Sequence, residues 1–155
     1  MDLQKLNSWL TFVANIGVLA GIVFLAIEIR QNSDVIRAQT RAQLAEEVTE
    51  LLSVNMNDQE YADVLMRGNN VEELSSVEKY QYFRHRGAWV HYWNNVVYQY
   101  QMGMYDESEF ALQISTIRND METYPGLKVH WCANRSIASQ SLIEAVEADL
   151  LGEYC

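Results

Sequence analysis

The sequence predicts an all-α chain in which a single N-terminal transmembrane helix continues into a cytoplasmic helical bundle. Three observations lead there. From Trp9 to Ile27 the only polar side chains are Thr11 and Asn15, and no charge occurs before Glu28. No Gly or Pro lies between Gly21 and Gly68, and residues 28–55 are rich in the helix formers Glu, Gln, Ala, Leu and Arg. Apolar residues recur at spacings of three and four, and no segment shows the alternation of a half-buried strand.

The first element is an anchor over 1–30. At the rise of an α-helix its charge-free run covers about 28 Å, against a hydrocarbon core of about 30 Å. The run is apolar on all sides for about five turns, where a buried helix of a soluble domain would carry a polar stripe. A cleaved leader would need more basic residues before a shorter apolar core and small residues after it, whereas Lys5 stands alone and Leu25-Ala26-Ile27 follows. Lys5 precedes the span, while Arg30, Arg37 and Arg41 follow it closely. That bias sets the N-terminus outside and the rest in the cytoplasm of a bacterial inner membrane. Cys132 and Cys155 are too few for a stapled secreted scaffold and read as reduced thiols. Asn134-Arg135-Ser136 fits the glycosylation pattern, which has no meaning in a cytoplasmic domain.

The remaining residues, 31–155, suffice for one hydrophobic core. The helix is expected to run on past the membrane, with Leu44, Val48 and Leu51 on an apolar stripe opposite Arg41, Glu46 and Glu50. A short helix from about Asp58 to Met66 ends at Arg67-Gly68-Asn69-Asn70, where Gly and Asn tolerate left-handed backbone. Ser75 and Glu78 form a capping box that opens a helix ending near Gly103, a C′ glycine. Phe83, Trp89, Val90, Tyr92, Trp93, Val97 and Tyr100 lie along it at helical spacing, which calls for a buried helix touching several others. Asp106 and Glu109 open another capped helix that breaks at Tyr124-Pro125-Gly126. The last segment carries Leu127, Val129, Trp131 and Ile137, then Leu142, Ile143, Val146, Leu150 and Leu151 before Gly152.

The stretches FLAIEIRQN (24–32) and VYQYQMGMYDESEF (97–110), with Pro125-Gly126 and Trp131, carry a resemblance. The chain looks like a widespread group of small uncharacterised bacterial proteins with one N-terminal apolar helix joined to a helical domain. That resemblance covers most of the chain and implies a bacterial origin and this architecture, with no activity or catalytic residues attached.

Charge excludes one class of partner. Beyond Arg41 seven Lys and Arg face eighteen Asp and Glu, a net of −11, so the domain repels phosphate backbones and nucleic acid is not a partner. Chemistry is equally sparse. A carboxylate-bridged metal pair needs Glu-x-x-His on two helices, and no Glu has a His three residues on. His85 and His91 stand about 240° apart around a helix, and His130-x-Cys132 lacks a second ligand pair. Cys132 beside His130 could be an activated thiol, but a small buried hydrophobe is the commoner role of such a cysteine. No nucleophile elbow, zinc-protease helix or phosphate loop occurs. No catalytic residue, metal site or cofactor is therefore assigned.

The anchor itself carries information. Gly17 and Gly21 form a G-x-x-x-G that Ala14 extends, and small residues let helices approach closely in lipid. Asn15 lies about 200° away from Gly17, on another face, where an amide in hydrocarbon wants a partner. The leading expectation is a non-enzymatic accessory or scaffold subunit that self-associates or docks another membrane protein. A small homo-oligomeric channel, with Asn15 and Glu28 facing its axis, is the first alternative. The second is a ligand sensor or enzyme using the aromatic helix, in which Trp89, Tyr92 and Trp93 offer a ligand or partner surface.

Overall fold

Helix α1 runs without a break from Leu3 to Asn57, because nothing in its 55 residues removes a backbone donor or frees the backbone except the two glycines of the apolar run. The computed structural model describes residues 2–148 and 155, with the backbone alone at 54–56. Described residues are helical or lie in the short links between helices, with no strand among them. They divide into two compact units, Met1–Gln39 and Thr40–Cys155.

In the first unit every side chain from Leu3 to Asn32 is exposed. Its most apolar eighteen-residue window has a mean hydropathy of 2.4 and none of it is buried. The Thr11 hydroxyl donates back to the Asn7 carbonyl at 2.9 Å, so one of the two polar groups in the run is satisfied by the helix itself.

The second unit begins with the remainder of α1 and continues through α2 (Gln59–Arg67), α3 (Ser76–Gln101), α4 (Glu107–Thr123), α5 (Pro125–Ala133) and α6 (Gln140–Glu147), with 3₁₀ turns at Val71–Glu73 and Arg135–Ile137. Local chemistry sets each start. The Asp58 carboxylate accepts from Tyr61 N at 3.0 Å. Ser75 and Glu78 complete the expected capping box, with Ser75 N donating to Glu78 Oε2 at 2.7 Å. Asp106 accepts from Ser108 N at 2.9 Å, while Glu109 pairs with Arg41 of α1. Pro125 occupies the first turn of α5, where its missing donor costs nothing.

Gly103 takes φ +70 and ends α3, with Met104 N donating to Gln99 O at 2.9 Å, as the sequence leads one to expect. Gly68 departs from expectation. It is right-handed, at φ −59, and is needed for a different reason: a Cβ there would collide with the ring of Tyr82.

Most of the core gathers on α3, whose Val90, Trp93, Val96 and Val97 meet Ile117 and Met121 of α4, Leu127 and Trp131 of α5, and Leu142 and Val146 of α6. Leu142 and Val146 are fully buried, and each contributes on the order of 1.5–3 kcal/mol. Leu44 brings α1 into this cluster. A second cluster joins Val64, Leu74 and Tyr82. Leu150, Leu151 and Gly152 lie outside the described residues.

The reading of the cysteines as reduced thiols is corrected. Cys132 and Cys155 form a disulfide, with Cα atoms 5.4 Å apart. Sequence spacing could not foretell it, because the pairing depends on where the fold brings residue 155 relative to α5.

Candidate functional site

The aromatic side of α3 builds the site. Tyr82, Arg86, Trp89 and Trp93 follow one another at steps of four, three and four and therefore share a face. Trp89, Tyr92 and Trp93 line a pocket of about 670 Å³ in the second unit, a size typical of small-molecule sites. The α4 residues Ile117 and Asp120, with Leu127 of α5, contribute to its lining. Trp93 and Tyr92 are also core residues, 5% and 6% exposed, while Trp89 is half-buried. The same rings thus hold the helices together and wall the cavity.

Polar side chains share the lining with the aromatic walls: Asn69, His85, Arg86, Gln113, Thr116 and Asp120 all border the pocket. Trp89 Nε1 donates to His85 Nε2 at 3.1 Å, which makes Nε2 the acceptor and leaves the proton on Nδ1. Burial, followed by the nearby positive charge of Arg86, pushes the pKa of His85 down to about 4. This imidazole is neutral at physiological pH and is occupied by Trp89. Arg86 lies beside the Tyr82 ring, its Cζ 5.0 Å from the centroid, within range of a cation–π contact. Its Nε is buried without a hydrogen-bond partner, and among the described residues Arg86 forms no salt bridge. Asp120 is the carboxylate of this pocket; burial raises its pKa and Arg86 acts in the opposite direction. The Tyr92 phenol is pushed up to about 12, first by burial and then by Tyr105 and Glu47.

Such a set can bind and orient a ligand: a fixed cation, flat aromatic walls and several hydrogen-bonding side chains. It offers no nucleophile with an adjacent free base. Cys132 is removed from consideration as an activated thiol, since its sulfur is bonded to Cys155. His130 is buried beside Phe83, ring centroids 5.3 Å apart, and belongs to the packing of α5 on α3. His91 is exposed and His85 buried, so the two histidines of α3 do not converge.

The anchor residues belong to the first unit. Ala14, Asn15, Gly17, Gly21 and Glu28 are all exposed on α1 within the first unit. A Cβ at Gly17 or Gly21 would meet nothing within 4 Å, so that face is open.

Arg86 and Asp120 are the site residues that sequence reasoning missed. A signal for Arg86 existed: a charge three residues before Trp89 and seven before Trp93 interrupts an aromatic stripe, and a charge on a buried face is rarely idle. Asp120 had none, because its proximity to α3 depends on how α4 packs. No known protein family, curated protein or solved structure matches this chain.

Proposed function

We propose that this chain is a single-span bacterial inner-membrane protein, without enzymatic activity, whose acidic helical domain binds a small molecule in the pocket walled by α3. The observation that carries the reading is the pocket of about 670 Å³ lined by Trp89, Tyr92 and Trp93 together with Arg86, whose Nε lacks a hydrogen-bond partner. The membrane part is supported by the wholly exposed apolar run of α1, since such a surface in water would be an aggregation liability. Lipid is therefore its immediate partner.

Thermal-shift screening of the full chain in lipid nanodiscs tests the binding function. A ligand that raises the unfolding midpoint of the wild type and not of Trp89→Ala supports it. Equal stabilisation of both proteins would move the site elsewhere.

Flanking charge favours a cytoplasmic domain with the N-terminus outside, whereas the Cys132–Cys155 bond favours an oxidising compartment. We adopt the cytoplasmic orientation. Fluorescence from a green fluorescent protein fused at the C-terminus would support it, and activity of a C-terminal alkaline phosphatase fusion would reverse it.

Self-association is a second reading, favoured by the open face at Gly17 and Gly21. Substituting either glycine by Ile is expected to lower the mass of the detergent-solubilised particle; an unchanged mass would remove those glycines as the contact.

A further inference from the structure

The chemistry of Arg86 narrows what the pocket accepts. A guanidinium keeps its charge at every physiological pH, and a partly buried charge without a direct salt-bridge partner is costly. Arg86 borders this pocket, stands over the ring of Tyr82, which is not part of the lining, and has its Nε buried without a hydrogen-bond partner. Its planar fork matches a carboxylate better than any neutral group. Around it Trp89, Trp93, Ile117 and Leu127 supply apolar lining, suited to a body that has few polar atoms.

We propose that the pocket takes a small organic monocarboxylate with an apolar body, its carboxylate held by Arg86 and its body lying among Trp89, Trp93 and Leu127. This rests on the reading of the pocket as a binding site. Neither His85 nor Asp120 competes for the role. His85 spends Nε2 on Trp89 and carries no charge at neutral pH. Asp120 opposes an anion, yet it forms no salt bridge with Arg86, so the guanidinium is not locked to it. An organic cation would have to sit beside Arg86, which repels it.

A charge series on one carbon skeleton tests the assignment: 3-phenylpropionate, 3-phenylpropan-1-ol and 3-phenylpropylamine. Each is titrated into the full chain in phosphatidylcholine nanodiscs, with binding read by saturation-transfer NMR against empty discs. The acid is expected to bind roughly 10- to 100-fold more tightly than the alcohol, the range of a hydrogen-bonded charge pair, and the amine most weakly. Arg86→Met, which keeps the stem and removes the charge, should erase the gap between acid and alcohol. Asp120→Asn should tighten the acid further. Equal affinities for acid and alcohol, or a preference for the amine, would overturn the anion assignment while leaving the pocket a binding site. Absence of binding by all three to folded protein would sink the pocket reading together with it. The wild-type series decides the sign of the site by itself, so an unstable Arg86 variant does not shelter the proposal.

Discussion

Tyr82 packs its ring against Gly68 so closely that no Cβ fits between them. Tyr82 is completely buried, and on its other end a Cβ at Gly126 would come within 2.6 Å of the phenol oxygen and would strike the Gly68 backbone. One ring thus locks the end of α2 and the start of α5 onto α3, and both glycines are required by close approach rather than by unusual dihedrals.

The two glycines should therefore differ in tolerance. Gly68→Ala opposes the ring of Tyr82, which yields only if its surroundings repack, and overpacking of this kind costs about 1–3 kcal/mol. Gly126→Ala opposes backbone, which cannot move aside without displacing α2, so its loss should be the larger. Urea denaturation of the two variants measures both, and a wild-type midpoint for Gly126→Ala would falsify the interlock.

Acid should destabilise the domain in two windows. Burial is the main cause that lowers His85 and His130 to about 4, so between the ordinary histidine value of about 6.5 and about 4 the unfolded chain binds more protons. Stability is then present above that window and lost as pH falls through it. Glu78, lowered to about 2 chiefly by its hydrogen bond from Arg67, acts in the same direction between the ordinary carboxylate range and about 2. Melting temperatures recorded from pH 7 down to pH 4.5 should decline, and His130→Phe should flatten the decline. A level profile for the wild type would contradict the buried neutral state of both histidines.

Reduction should lower the stability of the second unit. The disulfide joins residues 23 apart, and closing a loop of that size in the unfolded state is worth on the order of 3 kcal/mol. Thiol titration of the unreduced, unfolded protein is expected to find no free thiol and two after reduction. The melting temperature should fall with reductant, and to a similar extent in Cys132→Ser. Reductant that leaves it unchanged would show that the bond contributes nothing to stability.

Asn94 fixes the entry to α6. Its amide donates to Ile137 O at 2.9 Å and its oxygen accepts from Ser139 N at 2.7 Å, gripping both sides of the turn that precedes the helix. Asn94→Ala should cost about 1–3 kcal/mol, two hydrogen bonds' worth. Asn94→Asp, which retains the acceptor and loses the donor, should fall between Ala and wild type. Equal stability of all three would mean that water replaces the amide without loss.

Sequence alone determined the elements whose causes are local. The capping box of Ser75 and Glu78, the Asp58 and Asp106 caps, the αL glycine at Gly103 and the proline start of α5 each depend on residues within a few positions of one another. The unbroken α1 follows from the same kind of cause, and so does the gathering of Trp89, Tyr92 and Trp93 on one helix. Their spacing could not say whether they fill a core or wall a cavity, and they do both.

Only the tertiary structure decided what depends on distant partners. Gly68 reads as a turn glycine until Tyr82, fourteen residues on, is brought against it. Glu109 reads as half of a capping box until α1 offers Arg41. Arg86 is a charge among aromatic residues of one helix until α4 and α5 bring their side chains to the same pocket, and Cys132 reads as a free thiol until residue 155 arrives. A side chain's local alternatives are printed in its neighbours, whereas its burial and its charge partner are properties of the packing, which one-dimensional spacing does not encode.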